Sequence, residues 1–116
     1  MKVVVLSPDL LISVRIADAA ERAGRELLRI DDPAGLPDAS AVDLVLVDWA
    51  ARRQGWGERL TSWCADAPQP DRPRLVLYGP HTDLEAHAAA RAAGLGPMWA
   101  RSKLVAELPV LFPIER

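Results

Sequence analysis

Asparagine is absent from the 116 residues, and cysteine, tyrosine and phenylalanine occur once each. Each shortage excludes something. The lone Cys64 cannot close an internal disulfide, which points to a reducing compartment and a cytoplasmic location. Fourteen Lys and Arg stand against 16 Asp and Glu, and the formal charge of −2 excludes the basic bias of a general nucleic-acid binder. Long apolar runs are missing too. Pro8 and Asp9 interrupt the first candidate, so neither a membrane span nor a leader with a continuous apolar centre is expected. No G-x-G-x-x-G follows the first apolar run, so no dinucleotide cofactor is expected. His81, His87 and Cys64 do not make a metal-ligand set, and the expectation is no metal and no cofactor. The missing Asn and the excess of Arg over Lys read as genomic or thermal bias, not as function.

What is present is globular. Half the residues are hydrophobic and 26% are charged, enough for one domain over residues 1–116 and too little chain for two. Lys2 to Leu6 is a β-rich run. Ser7-Pro8-Asp9 then reads as a helix start, with Ser7 as cap and Pro8 in the first helical position. The helix runs to Gly24, with Ile12, Ile16, Ala19, Ala20 and Ala23 facing inward. Leu27 to Ile30 is a second strand. Pro33, Gly35 and Pro37 limit any helix before Ala41 to about one turn.

The run Val42 to Asp48 is the most informative in the chain: four apolar residues in a row between two aspartates suit a strand buried on both faces of a parallel sheet. An amphipathic helix carrying Trp56, Leu60, Trp63 and Cys64 follows, and Leu75 to Tyr78 makes a fourth strand. Thr82-Asp83-Leu84-Glu85 has the form of a capping box before a helix whose stripe is Leu84, Ala88, Ala92 and Leu95. Met98 to Ala100 is a fifth strand. Ser102 caps a last helical segment to Phe112, kinked or shortened by Pro109. Five strands alternating with helices predict an α/β doubly wound parallel sheet in the order 2-1-3-4-5, with the second helix reduced.

With that frame in place, the chain resembles the receiver domain of two-component response regulators over nearly its full length. Asp43 to Asp48 is similar to the family's phosphoacceptor strand, and Asp48 falls on the acceptor aspartate. Gly94 to Leu108 is similar to the stretch through the fifth strand, which puts Arg101 at the lysine position and Ser102 at the proline after it. Ser7 and Pro8 stand where the family has its metal-binding acidic pair, with Asp9 just beyond. Gly79 and Pro80 take the positions of the switch hydroxyl residue and its neighbour, Met98 that of the aromatic switch residue, and Arg52 that of the loop proline. The Gly-Pro-His turn ending in His81 and the later Arg-Ser-Lys segment also resemble a group of small, stand-alone bacterial receiver-like proteins. The resemblance implies a flavodoxin-like fold and a degenerate receiver pocket made of Ser7, Asp9, Asp48, Gly79, His81 and Arg101.

Phosphoryl transfer to a carboxylate needs a Mg²⁺ held by several oxygens and donors for the charge that develops. Ser7, Pro8 and Gly79 supply neither, so Asp48 is expected to form a fixed ion pair with Arg101. Ser/His/Asp hydrolysis is not expected, because Ser7 and Ser102 read as caps. Trp56 and Trp63, on the stripe of the amphipathic helix, read as core, whereas Trp49, at a strand end beside polar loop residues, is expected to be at least partly exposed; Trp49 or Trp56 is the candidate for an interface contact. The expectation is a non-enzymatic receiver-like signalling module that binds another protein or itself. Two rivals stand beside it: an atypical receiver phosphorylated at Asp48, and a binder of a small anion at the edge holding Arg52, Arg53, His81 and Arg101.

Overall fold

The structure, a computed structural model, describes residues 2–114. Strands β1 (Lys2–Leu6), β2 (Leu27–Ile30), β3 (Val42–Asp48), β4 (Arg74–Gly79) and β5 (Trp99–Ala100) form one sheet in the order β2-β1-β3-β4-β5. Every pairing is parallel. Helix α1 (Leu10–Arg22) joins β1 to β2, α2 (Trp56–Ala65) joins β3 to β4, α3 (Leu84–Ala92) joins β4 to β5, and α4 (Arg101–Leu111) follows β5. The fold is flavodoxin-like.

Alternation along the strands builds two cores. Val3, Val5, Leu44, Leu46 and Val76 pack with Ile12, Ile16 and Ala20 of α1 and Leu104 and Leu108 of α4. Val4, Leu6, Val45, Val47 and Leu77 pack on the other face with Trp56 and Leu60 of α2 and Ala86 and Ala90 of α3. Because β3 is central, both its faces are covered, which is why its sequence is a continuous apolar run rather than an alternating one. Each of its buried aliphatic side chains contributes about 1.5–3 kcal/mol over an exposed one.

The ends of the elements depart from the sequence reading in several places. Asp9, not Ser7, caps α1, its side chain accepting from the Leu11 amide, so Pro8 lies outside the helix. Ser7 is turned inward instead. The segment between β2 and β3 holds two single 3₁₀ turns, Pro33–Gly35 and Ala39–Ala41, each capped by the aspartate before it. Asp83, not Thr82, caps α3 by accepting from the Ala86 amide. The buried stripe of α3 is Ala86 and Ala90, while Leu84 is exposed and Ala88 and Ala92 face solvent. With so many alanines around this helix, hydrophobicity alone does not set its phase. Ala100 occupies the cap position of α4, which begins at Arg101 without a side-chain cap, so Ser102 is a first-turn residue and not a cap. Pro109 sits inside α4 without ending it; the helix continues to Leu111.

Candidate functional site

Three side chains meet on one face of the sheet at its carboxyl edge. Leu6 pairs with Val47 across β1 and β3, which brings Ser7, one residue on, beside Asp48. Asp48 pairs in turn with Tyr78, and Tyr78 with Trp99. Ser7, Asp48 and Tyr78 are 0%, 2% and 0% exposed. The alternation that sends Val5, Leu46 and Val76 toward α1 and α4 sends this row the same way. The starts of those two helices therefore lie over it.

Hydrogen bonding in the row is incomplete. Ser7 Oγ donates to Asp48 Oδ2 at 3.1 Å and accepts from the Asp9 amide at 3.0 Å. The second carboxylate oxygen, Asp48 Oδ1, and the Tyr78 hydroxyl have no partner among the described residues. Burial pushes the Asp48 carboxyl above its ordinary value; the Ser7 hydroxyl, the Arg101 charge and the Ala51 amide pull it down, and Asp9 adds to the rise. Burial also pushes the Tyr78 hydroxyl far up, against a downward pull from the Ser7 side chain, which faces it without closing a hydrogen bond. A carboxyl this enclosed is costly to ionise without a full set of donors.

The expected ion pair between Asp48 and Arg101 is not formed. Among the described residues Asp48 makes no salt bridge, and its side-chain partner is Ser7. Arg101, as the first residue of α4, is exposed and lines a surface cavity of about 480 Å³ with Asp9, Leu11, Ile12, Arg15, Ser102 and Val105. The other candidate cations are dispersed. Arg52 lies over the Trp49 ring, 5.3 Å from its centroid, and donates to the Trp49 carbonyl. Arg53 faces a separate depression shared with Arg29, Asp31 and Trp56. His81 is exposed, and its carbonyl oxygen lies 3.2 Å from His87 Nε2.

Both tryptophans singled out for an interface are core residues. Trp49 and Trp56 are each 2% exposed, and Trp49 Nε1 donates to the Ala86 carbonyl at 2.9 Å. The polar residues after Asp48 follow a 3₁₀ turn, Trp49–Ala51, which folds the indole back under α3. Gly79 has a packing reason. A Cβ there would stand 3.0 Å from Met98 Sδ and 3.3 Å from the Ala50 methyl, so Met98 fills the space a side chain at 79 would need.

Tyr78 is the member of the row that the sequence reading passed over. The signal was available in the alternation, since Tyr78 is two residues beyond Val76 and level with Asp48 at the end of the adjacent strand. Among the described residues no group of three or more His, Cys, Asp or Glu side chains is placed to hold a metal ion. Compared with protein-family models, curated proteins and solved structures, the chain matches none.

Proposed function

We propose that the protein is a non-enzymatic, receiver-like interaction module of the cytoplasm, whose Asp48 does not take up a phosphoryl group in the usual Mg²⁺-dependent way. The enclosure of Asp48 beside Ser7 carries this reading. A phosphoryl acceptor must present an oxygen to an in-line donor and share a divalent ion with other oxygens. Here Ser7 stands where a second carboxylate would be needed, and Asp9 is engaged in capping α1. Gly79 offers no hydroxyl, and Met98 closes the space beside it.

With Trp49 and Trp56 in the core, contact with a partner protein or a second copy falls to other side chains. Leu10, Leu11 and Val14 are exposed together on the first turns of α1, Leu11 at 83%. Three side chains are too small a cluster for the about 800 Å² per partner of a standard stable interface, which suits a transient contact.

The test is addition of beryllofluoride with Mg²⁺ while the backbone amide spectrum is recorded. The reading expects the amides of Ser7, Asp48, Gly79 and Arg101 to stay in place. Large shifts confined to those residues would establish the rival, an atypical receiver phosphorylated at Asp48.

A further inference from the structure

The row at the sheet edge lacks partners for Asp48 Oδ1 and the Tyr78 hydroxyl, a lack that costs little while Asp48 is neutral and much more once it is ionised. With a proton on Asp48, the neutral carboxyl accepts from Ser7, and its second oxygen can remain without a charged partner at modest cost. When the proton leaves, a full charge sits at a position 2% exposed, with Oδ1 still unpartnered. Such a charge draws in a cation or water.

The surrounding groups decide which. From β1 the row receives the Ser7 hydroxyl, already committed to Oδ2. From β2, Arg29 bonds the Ser7 carbonyl and Asp31, so its guanidinium is engaged. From β4 comes Tyr78, an un-ionised hydroxyl. From α1 comes Asp9, a like charge that repels, with Arg15 farther along the cavity wall. From the 3₁₀ turn after β3 comes the Ala51 amide, which closes no side-chain cap on Asp48. From α4 comes Arg101, exposed, outside every ion pair among the described residues, and acting on Asp48 with its charge.

We propose that Asp48 and Arg101 form a proton-operated latch: the neutral carboxyl leaves Arg101 on the cavity wall, and its ionisation draws the guanidinium inward onto Oδ1. Arg101 is the first residue of α4, and no side-chain cap fixes that end, so the first turn of the helix moves with it. The cavity between the starts of α1 and α4, walled by Leu11, Arg15 and Ser102, narrows as the latch closes. Ser7 links the same carboxyl to the Asp9 amide, so the start of α1 senses the proton as well. The device does not depend on what α1 binds.

The test is a pH titration followed by nuclear magnetic resonance. The Asp48 carboxyl carbon, the Arg101 side-chain Nε–H and the amides of Arg101, Ser102 and Lys103 are read together in the native chain, Asp48→Asn and Arg101→Gln. The latch requires all these signals to share one midpoint in the native chain, above the ordinary value of 3.8. It requires the α4 signals to be flat in Asp48→Asn, and the Asp48 midpoint to rise in Arg101→Gln. Arg101 signals that stay flat while Asp48 titrates would overturn it. So would α4 movement that persists in Asp48→Asn, or an Asp48 midpoint indifferent to Arg101→Gln. Should Asp48→Asn not fold, the exposed-site variant Arg101→Gln and the native chain still decide.

Discussion

At the residue scale, the chemistry of the sheet edge is set by the neighbours Asp48 has. An exposed aspartate is ionised at neutral pH and costs nothing there. This one is enclosed, bonded once, and lies beside an unpartnered tyrosine hydroxyl. Its folded-state value lies above the 3.8 of an unperturbed group, so the native state holds a proton that the unfolded chain releases over that interval. Stability from this site is therefore fully present below 3.8 and is lost as pH rises through the folded value. Asp48→Asn should remove that slope and, at pH 8, stabilise the protein by at most about 1–2 kcal/mol, the scale of an uncompensated buried polar group less what pairing with Arg101 returns. Thermal unfolding of both proteins at pH 4 and pH 8 checks this: the gap between them should open toward high pH. Tyr78→Phe should be neutral or stabilising by up to about 1 kcal/mol in urea unfolding, since it deletes a hydroxyl that nothing satisfies.

At the scale of elements, the order and direction of the strands were legible in the sequence, and the ends of the helices were less so. The apolar run of β3 and the α1 stripe of Ile12, Ile16 and Ala20 could face only inward. Ser7 has the right chemistry for a cap but the wrong surroundings, because the register of β1 against β3 turns it toward Asp48 and leaves capping to Asp9. Trp49 looked like a surface residue because its sequence neighbours are polar. A 3₁₀ turn reversed its direction, which one-dimensional periodicity does not encode. Within the candidate site, Asp48 was readable from its strand, whereas its bond to Ser7 and its row with Tyr78 required the register. Gly79 and Met98 were both noted in the sequence, but their contact emerges only when β4 and the start of β5 are side by side. Gly79→Thr should cost about 1–3 kcal/mol by overpacking against Met98 and Ala50, read as a lowered denaturation midpoint. Pro109→Ala should stabilise α4 by about 1–3 kcal/mol, because it restores an amide donor within a helix that already runs through the position.

At the scale of the whole molecule, a doubly wound sheet has both faces covered, and its carboxyl edge collects the starts of α1 and α4 over one buried row. That placement ties the sheet edge to the start of α1, where Leu10, Leu11 and Val14 are exposed and a transient partner is proposed to bind. Leu11→Ser should leave stability within about 0.5 kcal/mol, as for exposed sites generally, while weakening any association measured by light scattering or partner titration. No described helix is long and apolar enough to cross a membrane, which agrees with the interrupted first run of the sequence.

The decisive measurement is the carboxyl carbon shift of Asp48 across pH, with and without millimolar Mg²⁺. An enclosed carboxyl without partner acids should titrate above 3.8 and ignore the metal. A midpoint at or below 3.8 that falls further when Mg²⁺ is added would mean that residue 48 is a working metal-dependent acceptor, contradicting the account at its centre.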